Sequence, residues 1–193
     1  MGTQRIMAEF REMRSWDDSP QVDDLQLVQD CAARWRFKAR NFDSSSDGGR
    51  DLNADLAQLL RKRGRDYIVM EVSFPKDYPT SPFSLRVVSP RMRWYTGHVS
   101  AGGSICIAAL TTDGSPNAWR KTHNVESVLR TVFANMLYCD VGVIRTANGG
   151  GKTGPLRVDL EGRFGHDVLS EYSEHEASEG FRRMLDHHRR HGW

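Results

Sequence analysis

The alternation of apolar and polar positions divides the chain into a short series of elements. Ile6, Met7, Phe10, Met13 and Trp16 recur at three- and four-residue intervals among Arg5, Glu9, Arg11, Glu12 and Arg14, which predicts an amphipathic opening helix over residues 3 to 16. Asp17, Asp18, Ser19 and Pro20 stop it. Leu25, Leu27, Trp35, Phe37 and Phe42 then suggest two short strands, with Trp35 and Phe37 alternating against Arg34, Arg36 and Lys38. Leu52, Leu56, Leu59 and Leu60 predict a helix. Arg61, Lys62, Arg63 and Gly64 mark its end, because cations suit a helix C-terminus and glycine supplies the left-handed stop. A solvated helix end accounts for this basic cluster, and a phosphate site is the alternative. From Tyr67 to Phe74 the period is two, with Ile68, Met70, Val72 and Phe74 on one side, and Phe83, Leu85 and Val87 repeat it. Between these two strands Pro75, Pro79 and Pro82 predict a rigid connection with room for a cis bond. Val125, Val128, Leu129, Val132, Phe133, Met136 and Leu137 form a strong helical face, capped by Thr122 or Asn124, expected to be the main buried helix. The glycine-rich run 147 to 155 interrupts the pattern, and a last helix is predicted over 169 to 190.

Composition narrows the functional classes. With 27 basic against 25 acidic residues the formal charge is +2 over 193 residues, which gives no basis for a general nucleic-acid surface. The length suits one domain, residues 1 to 193, and a monomer is expected because each apolar stripe has a partner within one α+β arrangement. No apolar run reaches the roughly 20 residues needed to span a bilayer, and Met1 to Trp16 mixes Arg and Glu, so neither a membrane anchor nor a secretory signal is expected. The expectation is a soluble intracellular protein, cytoplasmic or nuclear. Cys31, Cys106 and Cys139 are odd in number and lack CxxC spacing, which argues against a disulfide framework or a cysteine-based zinc site. The run GGGKT at 149 to 153 is not a phosphate loop: the motif needs glycine where Thr146 stands, and Pro155 follows instead of a helix. Five of the seven histidines lie in the final 30 residues, and His187 and His191 are one helical turn apart. A solvated basic helix, with surface pairs Glu179–Arg183 and Asp186–Arg190, explains them without a metal.

Cys106 carries the sharper chemistry. It lies in SAGGSICIAAL, where Gly102 and Gly103 permit close backbone approach and unusual φ angles while Ile105, Ile107 and Leu110 anchor the flanks. A thiol so placed is either a nucleophile or a small buried apolar side chain. Cys31, without a glycine neighbourhood, and Cys139, directly after the apolar helix, read as packing or surface.

The order of parts then becomes distinctive: opening helix, antiparallel strands, FPKDYPTSP, an irregular stretch with Cys106, then Trp119 and NVESVL starting a helix. This resembles a ubiquitin-conjugating enzyme. DLNADLAQLLRKRGRDYIVMEVSFPKDYPTSPFSLRVVSP (51 to 90), GGSICIAALT and the ending FRRMLDHHRRHGW are similar to the family's Q-type branch. The resemblance covers most of residues 3 to 193. It implies an α+β fold, a meander sheet of about four antiparallel strands packed against helices, with an extra helix before the central strand.

It also implies acyl transfer. Cys106, expected to be solvent-reachable, accepts the C-terminal glycyl group of ubiquitin or a ubiquitin-like protein from an activating enzyme as a thioester, and passes it to an amine or hydroxyl acceptor, without a cofactor. Most of the family carries asparagine eight residues before the cysteine; here that position is His98. His98 is expected to serve the oxyanion or accept the acceptor's proton, or else to brace the loop. His123 is a second candidate base or a helix-capping surface residue, and Trp119 is expected to pack the cysteine loop. Asp113 and Asn117 lie in a loop, 111 to 118, longer than usual in the family, a candidate gate for the acceptor. The implied partners are ubiquitin or a relative, an activating enzyme, a ligase, and an acceptor protein or small acceptor, with no nucleic acid and no membrane. Arg5, Arg11, Arg14 and Pro116 are candidate contacts. Ser115-Pro116-Asn117-Ala118 only approximates the segment by which the family grips RING-type ligases, and it precedes Trp119 instead of following it. A non-catalytic ubiquitin-binding or scaffold variant of the fold is the alternative function, and a cysteine hydrolase built on Cys106 is opposed by the absence of an ordered triad.

Overall fold

The computed structural model describes residues 2–16, 21–93, 98–136, 157–162 and 165–191. Its elements are α1 (Gly2–Arg14), β1 (Val22–Val28), β2 (Cys31–Ala39), α2 (Asp47–Arg63), β3 (Ile68–Ser73), β4 (Ser84–Ser89), α3 (Val125–Thr131) and α4 (Glu174–His191). The four strands form one antiparallel sheet in the order β1-β2-β3-β4, the meander expected. α2 lies between β2 and β3 in the chain, the place expected for the extra helix. Ser46 caps its start by accepting from Gly49 N–H, and Gly64, at φ 71°, closes its end with Arg61, Lys62 and Arg63 in the last turn. These three side chains are exposed, as a solvated helix terminus requires.

Strand alternation sorts the side chains onto two faces. Trp35, Phe37, Met70, Val72, Leu85 and Val87 are buried on the helix side of the sheet. α1 contributes Ile6, Phe10 and Met13 to the same core, and the Phe10 and Phe74 rings lie 5.2 and 4.6 Å from Trp35. The other face carries Arg34, Arg36, Glu71 and Arg86. Glu71 stands opposite Arg36 and Arg86 in the strand register and pairs with Arg36 at 2.7 Å, Arg86 at 3.0 Å and Arg34 at 3.1 Å. Burial alone would raise the Glu71 pKa, but the hydrogen bond from Arg36 and the other two guanidinium groups outweigh it and hold the carboxyl below its usual value.

Two helices differ in detail from the sequence expectation. α3 is capped by Asn124, not Thr122, through a capping box with Ser127, and after Thr131 the chain widens into a π-helical turn over Val132–Met136. Leu137, Cys139 and the glycine-rich run lie outside the described residues. The last helix begins at Glu174 and not at 169. Ser173 and Glu176 exchange hydrogen bonds across the first turn, Glu176 N–H to Ser173 Oγ at 3.1 Å and Ser173 N–H to Glu176 Oε2 at 2.7 Å. The residues before this box serve the sheet edge instead: Arg91 N–H donates to the Val168 carbonyl and Tyr172 N–H to that of Val88. No helix of the described residues is long and apolar enough to cross a membrane.

Candidate active site

Beyond β4 the chain returns as a hairpin over residues 98 to 106. Its second limb pairs with β4, Ile105 N–H donating to the Leu85 carbonyl at 2.9 Å and Val87 N–H to that of Gly103 at 2.8 Å. Val99 bridges Ile105 across the hairpin. At the tip, Gly103 N–H donates to the Ser100 carbonyl and Ser100 Oγ accepts from Ser104 N–H. Gly103 has φ 88°, and a Cβ there would lie 2.7 Å from both the Val87 carbonyl and the Tyr172 ring. A Cβ on Gly102 would lie 1.8 Å from the Glu176 carbonyl oxygen. The glycine pair therefore provides the close approach and positive φ that it suggests in the sequence, and what approaches is the first turn of α4. Ser104 Oγ donates to the Ala177 carbonyl at 2.7 Å and completes the docking.

Cys106 ends this hairpin, held at its main chain by His98 from both directions. Cys106 N–H donates to the His98 carbonyl at 2.9 Å, and His98 Nδ1 lies 2.9 Å from the Cys106 carbonyl. A carbonyl only accepts, so Nδ1 carries the proton and the neutral ring leaves Nε2 with a free lone pair. The structure corrects one expectation here: Cys106 is 0% exposed, not solvent-reachable. The hairpin folds back on β4 and lays the cysteine between Ile105 and Ile107, both buried, and this burial pushes the thiol pKa up to about 11. Cys31, at the start of β2, is exposed.

The other sequence-selected residues lie farther along the chain from the hairpin. Trp119 Nε1 donates to the Pro79 carbonyl at 2.9 Å, and its ring packs against Tyr78 and Phe83 at 5.9 and 5.6 Å. It locks the proline turn, which contains a cis Tyr78–Pro79 bond, and its own N–H to the Thr111 carbonyl closes the base of the 111 to 118 loop. Asp113 caps a turn there by accepting from Ser115 N–H at 2.9 Å, and Asp113, Pro116 and Asn117 are exposed. His123 Nδ1 accepts from Arg120 N–H at 3.3 Å, which places the neutral ring's proton on Nε2, while its edge meets Trp119 at 5.5 Å. In that tautomer it has no free lone pair, and its geometry is that of a turn brace before α3.

Arg5, a candidate partner contact, is engaged internally, donating to the Lys121 and His123 carbonyls at 2.7 Å each; Arg11 and Arg14 are exposed. On α4, Glu179 reaches Arg183 at 3.9 Å, whereas Asp186 pairs with Arg182 and Arg189 instead of the expected Arg190. Among the described residues no group of three or more His, Cys, Asp or Glu side chains is arranged to hold a metal ion.

Two groups central to this arrangement do not stand out in the sequence. Arg91 is buried, stacks 4.1 Å from the Tyr172 ring centre and binds Glu176 at 2.6 and 3.3 Å, clamping α4 to the end of β4. The Arg91 hydrogen bond, with those from Ser173, outweighs desolvation and lowers the Glu176 pKa to about 2. Asp55 of α2 accepts from the backbone N–H groups of Arg157 and Val158, the latter at 2.9 Å, and burial raises its pKa despite them. The spacing Ser173-x-x-Glu176 was a legible cap signal; nothing local announced Arg91 or Asp55.

Comparison with known proteins places this arrangement. Residues 64–141 match the family model described as ubiquitin-conjugating enzyme, a span that includes the hairpin, Cys106 and Trp119. The chain is 28% identical over 194 residues to a Q-like ubiquitin-conjugating enzyme protein of Drosophila melanogaster, covering 99% of this chain and 52% of that protein. It is 30% identical over 192 residues to human ubiquitin-conjugating enzyme E2 Q1, covering 99% of this chain and 38% of that one. The human Q-like protein 1 of the same enzyme class is 26% identical over 169 residues, covering 88% and 85%. The chain thus spans about half, or less, of the length of the first two. Among solved structures, human ubiquitin-conjugating enzyme E2 G1 superimposes with a TM-score of 0.51 at 19% identity over 70% of this chain and 93% of its own, a likeness of fold. The chain is thus similar to ubiquitin-conjugating enzymes in the segment that carries Cys106, and the proteins that it matches over nearly its whole length include Q-type members of that class.

Proposed function

We propose that this protein accepts ubiquitin or a ubiquitin-like modifier as a thioester on Cys106 and transfers it to an amine or hydroxyl acceptor. The observation that carries this reading is the position of Cys106: it lies inside the span that matches the family and ends a hairpin whose backbone is fixed by β4 and His98. In the first step the Cys106 thiolate attacks the thioester carbonyl on the activating enzyme; a new S–C bond forms and the activating enzyme's sulfur leaves. In the second, the acceptor's nitrogen or oxygen attacks that carbonyl, Cys106 sulfur leaves, and the acceptor's proton goes to a base. His98 Nε2, unprotonated in the tautomer set by the Cys106 carbonyl, is suited to receive it. Because the sulfur is buried in the arrangement described, charging requires that it be uncovered, and the thiol must ionise as it emerges.

The test is to incubate the chain with activating enzyme, ATP and ubiquitin and to compare gels with and without reducing agent. A thiol-sensitive adduct in the wild type, absent from Cys106→Ala, supports the reading. An adduct that survives in Cys106→Ala and disappears in Cys31→Ala or Cys139→Ala reassigns the acceptor sulfur. No adduct with ubiquitin or a related modifier favours the non-catalytic ubiquitin-binding reading.

A further inference from the structure

α4 carries a glycine in its interior. Gly180 stands between Glu179 and Phe181 within Glu174–His191, where glycine is among the least favourable residues for a helix. The hairpin uses the space: a Cβ on Gly180 would lie 2.6 Å from Ser100 Oγ and 3.0 Å from Gly102 N. Helix propensity is given up here for close contact with the first limb of the hairpin, residues 98 to 102.

That limb is the outer one. The second limb is bonded to β4 along its other side, Ile105 N–H to the Leu85 carbonyl and Val87 N–H to that of Gly103. Among the described residues, the hydrogen bonds of the first limb run only to the tip and the second limb. Ser100 N–H donates to the Ser104 carbonyl at 2.8 Å, Ser100 Oγ accepts from Ser104 N–H at 3.0 Å, and His98 exchanges its pair with Cys106. A limb bonded along one edge twists about its partner unless another element packs on it. α4 is that element. Besides the Gly180 contact, Ser104 Oγ donates to the Ala177 carbonyl at 2.7 Å, and Ser100, Ser104 and Ala177 are all buried. Ser100 is two positions from His98, whose Nδ1 reaches the Cys106 carbonyl and whose ring lines the open groove beside α4. Contacts thus run without a break from Gly180 and Ala177, through Ser100 and Ser104, to the ring bonded at Cys106.

We propose that α4 positions His98 for proton transfer: by closing on Ser100 and Ser104 it holds the outer limb, and with it His98 Nε2, where the acceptor's proton is taken. Gly180 and Ser104 act through His98 and are positioning residues. The proposal rests on the reading of Cys106 as the sulfur that is charged and of His98 as the base. Proton transfer needs a hydrogen-bond distance of about 2.6–3.2 Å, so a base displaced by about 1 Å loses most of its advantage.

The experiment charges the full chain with ubiquitin and then supplies excess free lysine, or free serine if lysine is inert, and reads discharge as first-order loss of the thioester. Gly180→Ala is expected to be charged like the wild type and discharged about 10-fold more slowly, with the half-saturating acceptor concentration unchanged. In a His98→Ala background, itself slow, Gly180→Ala is expected to have no further effect, which is the mark of action through His98. Ser104→Ala is expected to behave in the same way, and it replaces Gly180→Ala if circular dichroism shows that the latter is misfolded. A second readout needs no activating enzyme. Nitrogen NMR of the His98 imidazole is expected to report a proton fixed on Nδ1 in the wild type and shared between Nδ1 and Nε2 in Gly180→Ala. Equal slowing by Gly180→Ala with and without His98, or unslowed discharge in both Gly180→Ala and Ser104→Ala, overturns the proposal, as does a His98 tautomer that neither variant changes. A wild type that is never charged fails the reading of Cys106 instead, and the ring spectrum then decides alone whether α4 holds His98.

Discussion

Glu9 occupies a core-facing position of α1, between Ile6 and Met13, and is 5% exposed. Its carboxylate accepts from Arg5 at 2.8 Å, from the Tyr78 hydroxyl at 2.6 Å and from Val125 N–H at the first turn of α3 at 3.0 Å. One buried acid thus joins the opening helix to the proline turn and to the helix after the cysteine loop. Glu9→Ala orphans these donors and is expected to cost about 3 kcal/mol, read as a lowered urea midpoint with an unchanged slope. For Cys106, a pKa of about 11 places little thiolate at neutral pH. Its alkylation by iodoacetamide, measured in a Cys31→Ser, Cys139→Ser background, is expected to rise about 10-fold per pH unit from 7 to 10. A plateau near pH 8.5 would show instead that the sulfur reacts in a solvated state. A cysteine behind two glycines is visible in the sequence, whereas Glu9 reads there as one of the polar residues around the stripe; the Tyr78 and Val125 partners that bury it lie 69 and 116 positions away, and the β4 segment that buries Cys106 lies about twenty away.

Among elements, the contact between α4 and the hairpin tip is the most constrained. Gly102 leaves no room for a side chain beneath the Glu176 carbonyl, and Gly180 sits where a Cβ would be 2.6 Å from Ser100 Oγ. Gly102→Ala is expected to lift α4 from the hairpin at a cost of about 3 kcal/mol, seen as a lower thermal midpoint and faster hydrogen exchange at the amides of 174 to 180. Unchanged exchange there would show that the contact is not what holds the helix. The existence of α4 was legible from its apolar and charged spacing, and Gly102 and Gly103 announced a tight spot. The start of the helix at Glu174, and not at 169, was decided by the competing demand of the sheet edge for Val168 and Tyr172.

For the molecule as a whole, charge pairs join the C-terminal region to the sheet, Arg91 to Glu176, Arg34 to Glu174, and Arg36 to Glu171, beside the buried side chains of Val168 and Tyr172. The Glu176 pKa is depressed to about 2, so its contribution to stability is fully present above its usual value near 4.5 and is lost as pH falls from there towards 2. Acid unfolding of Glu176→Gln is therefore expected to be less steep over that window, with a lower stability at pH 7 than the wild type; identical acid limbs would remove Arg91–Glu176 from the account.

Sequence by itself determined the local order of this protein: the period of two in the strands, the stripe on α1, the glycine stop of α2 and the proline turn all depend on neighbours within a few positions, where side-chain spacing translates directly into a face. Tertiary structure alone decided which faces meet. The threefold arginine cradle of Glu71, the clamp of Arg91 on α4 and the closure over Cys106 each require groups separated by fifteen to more than eighty positions, and no local period records a pairing at that distance.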